Sequence, residues 1–219
     1  MTKSILILGA TGATGIQCIE KLAERPGNKI HAFVRNPAKL DTKTLKRCKS
    51  IQTGDAKKVS DLRRALAETN ADWVVVALGN GVDLSAKSNT IRTSNAQVLA
   101  PWLEDPDFPR VRVLVISSNG AASSKIVVGL GIGMMISSHL HNVLNDHTGQ
   151  ENAFASISHR TIVVRPTALT SDAPTGKLVE FPDTKKGPSI KTDRADLAER
   201  VVGTVGAAEF KAGAINITV

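Results

Sequence analysis

Short runs of aliphatic and β-branched residues recur along the chain, and stretches of helical periodicity separate them. Residues 4–8, 29–34, 73–77, 111–116 and 161–164 read as strands, most of them apolar on both faces, the pattern of strands buried between two helical layers. Residues 50–53 form a weaker strand and 214–218 a closing one. Between them, 12–23 places Ile16, Ile19, Leu22 and Ala23 on one face, and 60–66 opens on a Ser60 cap followed by Leu62, Ala65 and Leu66. Helical patterns follow over 91–103, 140–155 and 194–208, with Pro101 expected to end or bend the first of the three early. Strand–helix alternation of this kind predicts an α/β fold, a doubly wound parallel sheet covered on both faces with right-handed crossovers. No repeat or linker interrupts the pattern, so residues 1–219 read as a single domain with a small substrate-side lobe. Residues 170–191, rich in Pro, Gly, Ser and Lys, and 119–147 are read as loops over the site.

The first strand runs directly into Gly9-Ala10-Thr11-Gly12-Ala13-Thr14-Gly15, which opens the first helix. In a G-x-x-G-x-x-G turn of this kind, Gly9 permits the tight exit from the strand. Gly12 lets the backbone approach a diphosphate, and Gly15 lets the helix pack close to the sheet. Unpaired N–H groups and the helix dipole then face the phosphates, and Thr11 and Thr14 can add hydroxyls. A strand before the turn and a helix after it are the context this motif requires.

The end of the second strand decides which nucleotide is favoured. An acid there would bind a ribose 2′-hydroxyl. The chain instead has Val34-Arg35-Asn36-Pro37-Ala38-Lys39. Arg35 can pair bidentately with a 2′-phosphate and Lys39 can support it, so NADP(H) is favoured over NAD(H).

Composition narrows the partners. Net charge is +8, with a pI near 9.7, which suits anionic ligands. Ten basic residues lie between Arg35 and Arg64 against three acids, Asp41, Asp55 and Asp61, but no aromatic or glycine interleaving accompanies them, so no nucleic-acid partner is expected. The longest apolar run, 126–136, has eleven residues, short of the roughly 20 that a membrane-spanning helix needs. Two cysteines, Cys18 and Cys48, are too few for a disulfide framework and read as reduced, in a cytoplasmic protein without a targeting segment. Aromatic residues are 3% of the chain and Tyr is absent, which removes every mechanism that needs a phenol.

The chain resembles the atypical short-chain dehydrogenases/reductases, in the NmrA-like and flavin-reductase/biliverdin-reductase-B-like branch. GATGATG at 9–15, VRNPAKL at 34–40, TGDAKKVSDL at 53–62, VVVALG at 74–79, VLVISS at 113–118, TIVVRPTAL at 161–169 and TDRADLA at 192–198 carry the likeness over nearly the whole length. The resemblance implies a Rossmann fold. It also implies that Thr11, Gly12, Ala13 and Thr14 hold the diphosphate, that Arg35 and Lys39 hold the 2′-phosphate, and that Asp55 and Ala56 flank the adenine. Ala77, Leu78 and Gly79 would line the adenosine channel, Ser117 and Ser118 would stand beside the nicotinamide, and Pro166 and Thr167 would close over its amide. The wider family uses a Tyr and, four residues later, a Lys. Counting back from Glu151 puts Val143 and His147 in those positions, so the usual Tyr–Lys mechanism is excluded. His147 is expected to bond the nicotinamide ribose or to relay a proton with a pKa near neutrality.

Two further features were weighed. His139, His141 and His147 lie close in sequence without a cysteine nearby, which is poor spacing for a metal, so no metal site is expected. Residues 129–135 (GLGIGMM) imitate a glycine fingerprint outside its strand–helix context. They read as an apolar, glycine-loosened segment able to line a pocket for a flat substrate. Three functions fit these observations: an NADPH-dependent reductase of a small conjugated acceptor such as a flavin, quinone or enone, a non-catalytic NADP(H) sensor of the NmrA-like type, or a non-redox isomerase or cyclase.

Overall fold

A computed structural model describes residues 2–79, 90–105, 108, 110–124 and 130–219, with backbone alone for 130–139. Strands β1 (Lys3–Leu8), β2 (Asn28–Val34), β3 (Ser50–Thr53), β4 (Trp73–Val76), β5 (Arg112–Ile116) and β6 (Thr161–Pro166) alternate with helices α1 (Ala13–Ala23), α2 (Thr42–Arg47), α3 (Val59–Thr69), α4 (Ile91–Glu104) and α5 (Leu130–Ala153). The short strands β7 (Ala168–Thr170), β8 (Val179–Phe181) and β9 (Lys191–Asp193) follow, then α6 (Arg194–Gly206) and β10 (Gly213–Thr218).

The main sheet has the order β3-β2-β1-β4-β5-β6-β10-β8. All its pairings are parallel except β10 with β8. The chain winds outward from β1 to β3, then returns across β1 to β4 and winds the other way. This switch leaves a crevice at the carboxyl ends of β1 and β4, where open α/β sheets bind ligands. Alternate residues of the apolar strands face opposite layers: Ile5 and Ile7 pack with Ile19, Leu22, Val201 and Val205, whereas Leu6 and Leu8 pack with Leu62, Leu66, Leu99 and Leu103.

Several sequence expectations change. Lys58, not Ser60, stands at the cap of α3, without a side-chain bond, and Ser60 lies in the first turn. Pro101 does not stop α4, which continues to Glu104; Gln97, whose carbonyl loses its partner there, is exposed to water. Helix α5 begins at Leu130, ten residues before the helix expected from 140. Residues 130–147 are therefore helix rather than loop, and Leu130–Met135 are not a loosened segment. Lys125 and residues 126–129 lie outside the described residues.

The lobe at 170–191 is tied down at both ends. Strands β7 and β9 pair with one another, and β8 joins the main sheet edge. The Asp196 carboxylate in the first turn of α6 accepts from the N–H groups of Thr175 and Gly176, each at 2.8 Å.

Candidate functional site

The glycine turn has the geometry its spacing suggests. Gly9 has φ +87°, and a Cβ there would lie 2.4 Å from the Ala77 carbonyl oxygen. Only glycine permits both the positive φ and the contact with the backbone that follows β4. A Cβ on Gly15 would lie 2.3 Å from the Gly9 oxygen, so α1 rests directly on the turn. Gly12 meets only that same oxygen, at 3.3 Å. The first intrahelical bond runs from the Ile16 N–H to the Gly12 carbonyl, which leaves the N–H groups of Ala13, Thr14 and Gly15 without helical acceptors. Thr11, Gly12 and Ala13 are exposed and Thr14 half-buried. No acid stands in the first turn of α1, so nothing there opposes an anion.

Beside this turn, β2 pairs with β1 so that Phe33 faces Leu8, and Arg35 follows two residues on. Arg35 and Lys39 are exposed and enter no ion pair among the described residues. Asn36 accepts from the Ala38 N–H and sets the 3-10 turn that carries Lys39.

Past β3, the Asp55 N–H donates to Asp61 at 2.9 Å, and Asp55 Oδ1 accepts from the Lys57 N–H at 3.0 Å. Asp55 is thus a turn residue whose other carboxylate oxygen stays available. The carbonyl of the buried Ala56 accepts from Asn95 Nδ2 at 2.7 Å. At the end of β4, Ala77 and Leu78 are half-buried and Gly79 is exposed.

The far half of the site is a buried polar network. Ser117, 3% exposed, donates its hydroxyl to Glu151 Oε1 at 2.5 Å. Glu151 pairs with Arg165 through Nε at 3.0 Å and Nη2 at 2.5 Å. Arg165 Nη1 reaches Asp183 at 3.0 Å, and Asp183 also accepts from Ser123 and Asn216. Burial opposes the Arg165 charge, but the two carboxylates hold its pKa above the ordinary value. Burial likewise opposes the charge of Asp183, yet Ser123, Asn216 and Arg165 hold its carboxyl below the usual range. This network joins β5, α5, β6, β10 and the lobe.

Four residues expected beside the nicotinamide have partners within the protein. The Ser117 proton is committed to Glu151, and Ser118 donates to the Asn119 carbonyl. Thr167 directs its hydroxyl to Thr192 and Thr218 and its N–H to Ile217. The Asn119 N–H donates to the Pro166 carbonyl at 2.8 Å.

His147 also departs from expectation. It is 7% exposed. Burial, and then the nearby Arg92 cation, push its pKa well below the ordinary value. It therefore stays neutral at physiological pH and is not the near-neutral acid its sequence position suggested. His141 is exposed and bonds Asn145, and the His139 side chain lies outside the described ones. Among the described residues, no three His, Cys, Asp or Glu side chains group to hold a metal.

Sequence reasoning missed Asp146. Thr90 caps α4 without a side-chain bond. Instead the buried Asp146 carboxylate of α5 accepts from the N–H groups of Arg92 and Thr93, at 3.3 and 2.9 Å, and from Arg92 Nη1 at 3.1 Å. An acid adjoining His147 was visible in the sequence, but no local pattern links it to a helix 54 residues earlier. An open groove of about 800 Å³ lined by Lys58, Arg63, Arg64 and Trp102 lies on the α3–α4 surface.

A sequence profile described as NAD(P)H-binding matches residues 9–207. The chain belongs to the NAD(P)H-binding family. Comparison with curated proteins gave no match for this NAD(P)H-binding protein. Among solved structures, it is similar to a short-chain dehydrogenase/reductase from Veillonella parvula DSM 2008 in complex with NADP, at 16% identity and TM-score 0.76, covering 100% of this chain and 95% of that one. It is also similar to ChuY, an anaerobillin reductase from Escherichia coli O157:H7, at 18% identity and TM-score 0.76, covering 97% and 95%. A Rossmann-fold NAD(P)-binding family protein from Shigella flexneri matches at 21% identity and TM-score 0.69, covering 100% and 94%. At these identities the likeness establishes the Rossmann fold alone. No described helix is long and apolar enough to cross a membrane.

Proposed function

We propose that the protein is an NADPH-dependent reductase that passes hydride to a small conjugated acceptor, such as a flavin, quinone or enone. The observation that carries this reading is the open, amide-lined turn at 11–15 beside two exposed cations, Arg35 and Lys39, that have no other partner among the described residues. Thr11, Gly12, Ala13 and Thr14 hold the diphosphate, and Arg35 and Lys39 select the 2′-phosphate. Asp55 and Ala56 flank the adenine, while Ala77, Leu78 and Gly79 border the adenosine. Bound NADPH supplies a hydride, two electrons with one hydrogen. A conjugated acceptor suits a site with no phenol, because delocalisation stabilises the anion that results and lowers the demand for a strong acid. Ser117, held by Glu151, fixes the end of β5 next to that reaction. The free Cys18 and Cys48 suit a reducing cytoplasm.

One observation favours a second reading, a non-catalytic NADP(H) sensor. The Ser117 proton is already donated to Glu151, and burial and Arg92 hold the His147 pKa well below its ordinary value, so neither expected proton donor is poised to act. Titration with NADPH and NADH, followed by reduced-nicotinamide absorbance against flavins, quinones and enones, separates the two. Tight NADPH binding with turnover supports the reductase; tight binding with no turnover on any acceptor leaves the sensor. Equal affinity for NADPH and NADH would refute the cofactor assignment.

A further inference from the structure

We propose that the buried face between α4 and α5 holds a bound water, positioned by His147 and Gln150, that protonates the reduced acceptor; this deepens the reductase reading and rests on it. Four side chains bring five polar atoms to this face that no described protein group satisfies: Arg92 Nε, Asn95 Oδ1, His147 Nδ1, and Oε1 and Nε2 of Gln150. Asn95 and Gln150 are fully buried, and Arg92 and His147 nearly so. The Gln150 amide lies beside the imidazole, yet His147 Nδ1 and both Gln150 amide atoms lack a hydrogen bond of ordinary geometry.

The two helices run side by side and are tightly packed. A Cβ on Gly149 would lie 2.3 Å from the Thr93 hydroxyl; Asn95 and Gln150, three residues after Arg92 and His147, lie on the same helix faces as those residues. Leaving a single polar group buried and unbonded costs about 1–3 kcal/mol. Five of them at one interface mark a polar ligand site. The ligand must be small, and it must both donate and accept: Arg92 Nε and Gln150 Nε2 donate, Gln150 Oε1 and Asn95 Oδ1 accept, and His147 Nδ1 does either according to tautomer. An anion would meet the two amide oxygens and a cation would meet Arg92. Water fits both sets and ordinarily makes two to four such bonds when buried.

The pocket borders the crevice. Arg92 Nη2 lies 3.4 Å from where a Cβ of Gly79 would stand, at the end of β4. One turn after His147, Glu151 bonds Ser117 at the end of β5. Addition of hydride to a conjugated acceptor leaves an anion short of one proton. The water supplies it: its O–H bond breaks, a bond from hydrogen to the acceptor forms, and the hydroxide left behind takes a proton from bulk solvent. The fixed Arg92 charge stabilises that hydroxide while it exists. His147 and Gln150 act by orienting the water, so both are positioning residues.

Two measurements test this. A crystal structure at atomic resolution should show ordered water within hydrogen-bond distance of His147 Nδ1 and the Gln150 amide; a direct His147–Gln150 bond with no water overturns the proposal. Gln150→Leu should lower kcat with NADPH and menadione about a hundredfold and change the ratio of rates in H2O and D2O. NADPH affinity should be unchanged, and Gln150→Glu should restore part of the rate. An unchanged rate and ratio in Gln150→Leu overturns the proton role and leaves the reductase reading standing. No turnover by the parent protein on any acceptor overturns the reductase reading, and the proton role with it, while the crystallographic measurement still decides whether the site binds water.

Discussion

Arg165 can be tested by removing its charge. Its side chain is 3% exposed and that of Glu151 7%. Arg165→Leu leaves the Glu151 carboxylate buried with only the Ser117 hydroxyl. Breaking a buried pair from one side costs about 3–5 kcal/mol, because the remaining charge stays uncompensated. Asp183 is one-third exposed and regains water, so it adds little. For a chain of this size the loss corresponds to a Tm lower by roughly 6–20 °C. The second half of the test is Arg165→Leu with Glu151→Leu. Replacing a buried ion pair with apolar side chains is often neutral, so the double variant should regain most of the loss. About 1 kcal/mol stays missing because the Ser117 hydroxyl loses its acceptor. Thermal unfolding followed by circular dichroism, with urea midpoints as a check, reads both. A single variant that loses less than about 1 kcal/mol, or a double variant as unstable as the single, would refute this account of the network.

Other outcomes follow from the same structure. Arg35→Glu should weaken NADPH binding by about 10–100-fold, the range of one charge-assisted contact, and leave NADH binding nearly unchanged; calorimetry with both nucleotides decides it. Gly15→Ala should abolish nucleotide binding, since its Cβ meets the Gly9 carbonyl at 2.3 Å and that backbone shapes the turn; retained affinity would show that the turn yields. Stability should fall as pH drops below the ordinary histidine value of 6.5, because His147 binds its proton in the unfolded chain before it does in the folded one. His31, lowered by burial and by Lys29 and Lys49, adds to the same slope. His147→Asn should flatten the slope between about pH 6.5 and 5, leaving the His31 share, as measured by urea unfolding at several pH values.

Most of the frame could be read from the chain because the strands are apolar on both faces and glycine spacing marks the turn. Residues 9–15 carry their own instructions: Gly9 and Gly15 are each required by a contact within a few residues or with the residue that follows the adjoining strand. The readings failed where distant contacts decide. The glycines at 131 and 133 suggested a broken segment, yet the backbone from Leu130 is helical; intrinsic preference is a weak prior that tertiary packing overrides. Strands β7, β8 and β9 have three residues each, too short to show a period, and exist only through their partners. The position of His147 follows from spacing, but its pKa is lowered by burial and then by Arg92, 55 residues away on another helix, neither of which has a local signature.

The first turn of α4 is finished by a carboxylate that belongs to α5. Neither helix is therefore a portable module. A chimera that imports α5 from a relative without an acid at position 146 leaves α4 with an unfinished helix end next to a stranded guanidinium. Recombination across this region succeeds only when both segments are exchanged together, so residues 91–93 and 146 form one inherited unit although the chain separates them.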